Sequence, residues 1–292
     1  MVGNLGGYNN NINWVQGRRF WILADNRNFI YNKDMRAETI EMLCNPYAGE
    51  PLRLDGQFLV GVSSGQRFAI RDGIPSFVPR GVGLSRRSRF WQWFYDRSAG
   101  IYDEVMDLGD RLRYTSEQTV RREYISRMAI NPGDKLLETA CGTGSNFEHL
   151  PADGLYYGLD ISWNMLRRAQ RNLEKRGSRV ELLHADGQQI PLRDGSFDHV
   201  LHMGGLQFYG DPFLGVREMA RVVKPGGRVV ILDEAAAAYR IFKRSPAHAR
   251  HAPTKAAAVG ELGRLAPHGA QDVRCGMVAG THFFELTFRR PE

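Results

Sequence analysis

Glu138 stands at the head of a run of small residues, Thr139-Ala140-Cys141-Gly142-Thr143-Gly144-Ser145. With Leu136-Leu137 before it, the run reads as a strand that enters a tight turn and then a helix. Small residues there let a ligand lie against bare backbone at the helix N-terminus, where unpaired N–H groups face outward. Asp160 comes 22 residues after Glu138, at the end of a second strand. A carboxylate placed there can accept both hydroxyls of a ribose. His184-Ala185-Asp186-Gly187 ends a third strand, and offers an acid and a backbone N–H to an adenine-like ring edge. The chemistry implied is that of a nucleoside-binding crevice beyond the ends of parallel strands. A glycine-rich turn alone would be weak support, because dinucleotide sites and purely structural turns use one too. The acids at these distances make the signal specific.

The elements that must hold those residues in place alternate from Thr115 onward. Val120, Tyr124, Ile125 and Met128 mark one face of a helix, which Asn131-Pro132-Gly133-Asp134 ends. Lys135–Thr139 and Tyr156–Asp160 read as strands. Ser162 then caps a helix carrying Met165, Leu166, Ala169 and Leu173 on one side, with Gly177 past its end. Further strands are expected at Val180–His184, His199–His202 and Arg228–Leu232, the last entered through Lys224-Pro225-Gly226-Gly227. Short apolar strands between amphipathic helices imply a parallel sheet with helices on both faces. Met277–Phe288 reads as an antiparallel hairpin on the sheet edge.

The N-terminal third differs. Residues 1–35 are rich in Asn and aromatics without a period and read as an irregular extension. Residues 36–82 hold short β-like runs, Gln57–Val62 and Gln66–Ile70, between turn signals, as in a small β module. Residues 83–114 form a basic and aromatic linker with Phe90-Trp91-Gln92-Trp93-Phe94-Tyr95 at its centre, and residues 115–292 form the α/β domain. A chain of 292 residues can bury a full core. No apolar run approaches the ~20 residues that span a bilayer, so no membrane insertion is expected. The first residues show neither a basic nor an apolar leader region, and the three cysteines, Cys44, Cys141 and Cys275, are scattered. Together these predict a cytoplasmic protein. The net charge of +7 would suit an anionic partner such as RNA or a phosphorylated metabolite, or equally a solvated basic surface.

As a set, the motifs from about Phe94 to Phe288 resemble the class I S-adenosylmethionine (SAM)-dependent methyltransferases. The nearest likeness is to the branch that includes quinone and small-molecule C-methyltransferases. The resemblance implies a Rossmann-like seven-stranded sheet with helices on both faces, and SAM as cofactor. It implies that Glu138 sits near the methionine amino group, that Ala140, Gly142 and Gly144 form the cofactor loop, and that Asp160 holds the ribose. Ile161, Met165, Asp186, Gly187 and His202 would line the rest of the cofactor site. Ala140 departs from the family's glycine. A nicotinamide dinucleotide site would use the same crevice, but the Glu-x-Ala-Cys-Gly-Thr-Gly spacing, the Asp186-Gly187 pair and the terminal hairpin stand against it. Tyr95-Asp96-Arg97-Ser98-Ala99-Gly100-Ile101-Tyr102-Asp103 resembles the branch's lid, whose first Tyr covers the methionine end. Plain core aromatics would explain the same segment.

Methyl transfer is an in-line displacement that alignment can accelerate, and it needs a base only if the acceptor must lose a proton. The catalytic candidates are His202 at the end of the fourth strand, Tyr209 in the adjoining loop, and Glu234, beside Asp233, at the end of the fifth. Residues 42–47, 59–68 and 70–75 resemble the small zinc ribbon fused to some rRNA-type methyltransferases. Only Cys44 of its four ligand positions is a thiol, with Tyr47, Gly61 and Ser64 at the others, so no metal is expected there. His248 and His251 lack a third ligand nearby and read as a solvated basic loop. The expected substrate is a small, partly apolar metabolite, natural-product or quinone-like, which could carry an anionic group. RNA base methylation and a SAM-binding protein with a non-methylating role stay open.

Overall fold

A computed structural model of the chain describes residues 35–78 and 117–292. Tyr95 and the rest of segment 83–114 lie outside the described residues, as does most of the extension 1–35. The α/β part opens with α2 (Glu117–Ser126), numbered after the short helix α1 (Ala37–Met42) and strands β1–β4 of the N-terminal part. It continues through β5 (Lys135–Thr139), β6 (Leu155–Asp160), α3 (Trp163–Arg176), β7 (Val180–His184), β8 (Phe197–Met203), α4 (Pro212–Val222), β9 (Val223–Glu234), α5 (Ala238–Arg244), β10 (Gln271–Met277) and β11 (Phe283–Arg289).

These strands make one seven-stranded sheet in the order β10-β11-β9-β8-β5-β6-β7. β5 to β9 run parallel, and β11 pairs antiparallel with β9. Strand order reverses at β5, with β6 on one side and β8 on the other, so the crevice opens beyond their C-terminal ends. Because side chains alternate along a strand, neighbouring residues enter different cores. Leu136, Tyr156, Leu182, Leu201 and Val230 meet α2 and α3 through Val120, Tyr124, Leu166 and Leu173. Leu137, Tyr157, Leu183, Val200 and Val229 meet α4 and α5 through Phe213, Val216, Ile241 and Phe242. The helices on both faces follow from this alternation.

Three features differ from the sequence expectation. The cofactor turn leads into a five-residue 3-10 turn, Ser145–His149, and not into an α-helix. Pro151 follows directly and drives Leu150 into extended backbone (φ −81°, ψ 147°), which leaves no room for a longer helix. β9 is longer than expected and begins at Val223. Its pairing with β8 jumps from Val223 to Arg228, and the Lys224–Gly227 excursion sits between. The connection 185–196 between β7 and β8 contains no helix.

The N-terminal part fills the place that such a helix would cover. Strands β1 (Leu52–Asp55), β2 (Phe58–Gly61), β3 (Arg67–Arg71) and β4 (Ile74–Pro75) form an antiparallel meander. Met42, Leu43, Leu59, Phe68 and Phe77 join the same core as Tyr157, Leu183 and Leu192. Leu43 bridges Leu192, the Cys44 N–H donates to Pro191 O at 3.0 Å, and the Arg193 N–H donates to Met42 O at 2.9 Å. Ser76 bridges His184 in parallel and the Phe77 N–H donates to His184 O at 2.8 Å, so the otherwise open edge of β7 is covered. Arg36 completes the seam, donating to Glu181 Oε1 at 3.0 Å.

Where the ribbon resemblance places ligands, a carboxylate ties the two turns together. Glu50 Oε2 accepts the Ser63 and Ser64 N–H groups at 2.6 and 2.9 Å. Its Oε1 accepts from the Asn45 amide at 2.9 Å and from the Ser64 hydroxyl. These donors hold the Glu50 carboxyl down to about 2.

Candidate functional site

Residues of the cofactor turn, of the ends of β6 to β9 and of the hairpin surround one cavity of about 320 Å³. Of the residues expected from the sequence, Ala140, Gly142, Asp160, Ile161, Met165, Asp186, Gly187, Tyr209 and Glu234 line it. Glu138, Gly144 and His202 do not form its wall.

The turn is built on left-handed backbone. Ala140, Gly142 and Gly144 have φ of +55°, +55° and +76°. At Ala140 this costs roughly 1–2 kcal/mol, which a glycine would avoid. A Cβ on Gly142 would meet nothing within 4 Å, so its backbone faces open crevice. Asp160 fixes the turn to the second strand: its Oδ2 accepts the Gly142 N–H and its Oδ1 the Ser162 N–H, both at 2.8 Å. The same carboxylate lines the crevice, where it is placed to accept a hydroxyl.

Beneath the turn lies a buried polar chain. Arg121 Nη1 donates to Asn146 Oδ1 at 2.7 Å, and the Asn146 amide donates to Glu138 Oε1. Glu138 Oε2 has no partner among the described residues. Burial pushes this carboxyl up to about 8, opposed by the Asn146 hydrogen bond and the Arg121 charge. The sequence reading missed Arg121. It follows Val120 on α2 and looks like an ordinary charged residue beside an apolar face. Only the packing of α2 against the 3-10 turn brings it to the cavity wall.

At the far side the wall is largely apolar, with Val120, Met203, Phe208, Leu232 and Phe283 around Asp233 and Glu234. Asp233 braces the β8 loop by accepting the Leu206 N–H at 3.0 Å and the Glu234 N–H at 2.8 Å. Burial raises its carboxyl to about 6 against those donors. Glu234 is exposed on the wall. Tyr209 is threaded between two glycines. A Cβ on Gly187 would lie 2.1 Å from its hydroxyl, and one on Gly215 would lie 2.4 Å from its ring. Burial, with the Asp186 charge, keeps its proton on far above the ordinary tyrosine range. His202 lies behind it, fully buried, edge to face at 5.6 Å. Its Nδ1 pairs with the Thr139 hydroxyl at 2.9 Å, and burial lowers it to about 4, so the ring is neutral near pH 7. Cys141 is buried beneath the turn. His248 stacks on Phe213 at 3.6 Å and pairs with Ser245, well engaged in packing.

Residues 137–231, from β5 to β9, match the family described as methyltransferase domain. Over these residues the chain is similar to the class I SAM-dependent methyltransferases. The domain's curated relatives include the demethylmenaquinone methyltransferases of Bacillus mycoides (strain KBAB4) and Geobacillus sp. (strain WCH70). The first is 33% identical over 147 residues, 47% of this chain and 62% of the relative. The second is 37% identical over 138 residues, 46% of this chain and 59% of the relative. The chain thus spans about three fifths of the length of the curated relatives it matches. Among solved structures, the [4+2]-cyclase SpnF superposes with a TM-score of 0.50 at 19% identity, over 73% of this chain and 99% of that one, which bears on the fold alone.

SAM is the cofactor of this methyltransferase class, and the residues present fit it. The buried Glu138 Oε2, with no partner among the described residues, suits an ammonium group, the bare Gly142 backbone admits close approach, and the Asp160 carboxylate stands on the crevice wall as an acceptor of the kind ribose hydroxyls need.

Proposed function

We propose that this protein transfers a methyl group from SAM to a small, flat, largely apolar acceptor bearing a ring hydroxyl, of the quinol type. The observation that carries this reading is the make-up of this cavity. Its near side is the cofactor turn with Asp160 and Asp186, and its far side is an apolar wall interrupted by two carboxylates. The demethylmenaquinone methyltransferases among its relatives agree with a quinone-type acceptor.

In this reading Glu138 and Arg121 hold the amino-acid end of the cofactor, Asp160 the ribose, and Asp186 with Gly187 the adenine edge. When bound, SAM supplies an electrophilic methyl group. Met203, Leu232, Phe208 and Phe283 orient the acceptor ring and exclude water, which serves alignment for in-line attack. Glu234 takes the ring hydroxyl proton as attack proceeds, and the buried Asp233 keeps the β8 loop in position. Tyr209 cannot act as a base while its proton is held so firmly, and it serves as a rigid hydrogen-bonding wall. His202 positions Tyr209 and Thr139 from behind. No helix among the described residues is long and apolar enough to cross a membrane, and we place the reaction in the cytoplasm.

The test is to incubate the protein with methyl-labelled SAM and either a panel of reduced naphthoquinones lacking the ring methyl or total RNA. Expected is a methylated ring product detected by mass spectrometry, with little dependence on salt. Label confined to RNA and falling steeply with salt, as counterion release requires of phosphate binding, would overturn the acceptor assignment. SAM binding without methylation of either would overturn the transferase reading itself.

A further inference from the structure

His184 ends β7, is 7% exposed and does not line the cavity, yet both of its ring nitrogens are engaged. Nε2 lies 3.0 Å from the carbonyl oxygen of Ile161, and Nδ1 lies 2.8 Å from the Ser76 hydroxyl. A carbonyl can only accept, so Nε2 carries the proton. In the neutral ring Nδ1 is then the acceptor and the Ser76 O–H donates. The hydrogen bonds fix the tautomer and the ring plane together.

The two partners belong to different parts of the molecule. Ser76 closes the N-terminal meander and is laid beside His184 by the parallel bridge and the Phe77 N–H. Ile161 sits between Asp160, which holds the cofactor turn, and Ser162, which caps α3 by accepting the Met165 N–H. Other contacts keep the two parts in register. Trp163 meets the His184 ring edge on at 5.4 Å, Arg71 lies over the Trp163 ring at 5.9 Å, and the Gln170 amide donates to Asp72 O at 2.9 Å.

We propose that His184 is a positioning residue through which Ser76 of the N-terminal meander sets the Asp160–Ser162 loop for the nucleoside end of the cofactor. The ring holds the carbonyl oxygen of the Ile161–Ser162 peptide, whose N–H is held in turn by the Asp160 carboxylate at 2.8 Å. That peptide decides where the Asp160 carboxylate and the Ile161 side chain stand in the crevice. Residues 35–78 would therefore act on the cofactor site without lining it. The inference rests on the crevice being a SAM site.

The test compares S-adenosylhomocysteine with adenosine, which lacks the amino-acid end, by calorimetry on the full chain, with thermal melting measured alongside. Ser76→Ala and His184→Phe, which keeps the ring and its Trp163 contact, are expected to weaken both ligands by the same factor. That factor is about five- to tenfold per lost hydrogen bond. His184→Gln, whose amide nitrogen can reach the position of Nε2, is expected to recover most of the affinity lost in His184→Phe. Variants that melt earlier but bind both ligands like the parent would overturn the proposal, because stability alone would then explain the contacts. A parent protein that binds neither ligand would overturn the SAM reading first, and this inference with it.

Discussion

Glu138 is the residue whose charge depends most on what fills the crevice. Burial raises its carboxyl to about 8 against the Asn146 hydrogen bond and the Arg121 charge, so it is mostly protonated at pH 7. An ammonium at Oε2 favours the carboxylate, hence ligand binding at pH 7 should release close to one proton, and affinity should rise as pH climbs toward 8. Calorimetry of S-adenosylhomocysteine in two buffers of different ionisation enthalpy reads this directly, and Glu138→Gln should abolish the release. Arg121→Ala should weaken S-adenosylhomocysteine by roughly 1.5–3 kcal/mol, the usual worth of a charged hydrogen bond, and leave adenosine nearly unaffected. Legibility at this scale followed sequence distance. Glu138, Asp160 and Asp186 end consecutive strands, so their spacing announced a shared edge. Arg121 and Asn146 meet across 25 residues and only through the packing of α2, which no local pattern encodes.

The elements that were easy to read are those whose apolar period matches what they bury. In α3, Met165, Leu166, Ala169 and Leu173 were expected to face inward and all are buried, with Ser162 and Gly177 at its caps. Leu166→Ala should cost about 2–5 kcal/mol by denaturant unfolding, as for other fully buried leucines. By contrast, α1 is six residues long and buries only Thr39 and Met42, too short for a period to emerge. The Glu50 corner was equally silent, since its partners are backbone N–H groups and short polar side chains. Its stabilisation can be tested by pH. Glu50 has a depressed carboxyl, so its contribution is complete above the ordinary glutamate range and is lost as pH falls through about 4 toward 2. Glu50→Gln should melt earlier at pH 7 and lose less further stability than the parent between pH 5 and pH 2.

At the scale of the molecule, the N-terminal meander and the large sheet share one core, so neither is expected to unfold alone. Leu43, fully buried against Leu192, is the natural probe. Leu43→Ala should lower stability by about 2–5 kcal/mol in a single transition, followed by fluorescence and by hydrogen exchange in β7. A separate early transition confined to residues 35–78 would show the two parts to be independent. This union was not legible beforehand. The sequence marks a turn-rich β segment and an α/β segment, while the seam between them depends on a connection that lacks a helix. The central claim, that the crevice at the β5/β8 switch point is a SAM site organised by Asp160, is tested most directly by titrating S-adenosylhomocysteine into the parent and Asp160→Ala. Micromolar binding to the parent is expected, weakened by roughly 2–4 kcal/mol in the variant through loss of charged hydrogen bonds to the ribose and to the turn. Equal affinity in the two proteins would contradict it.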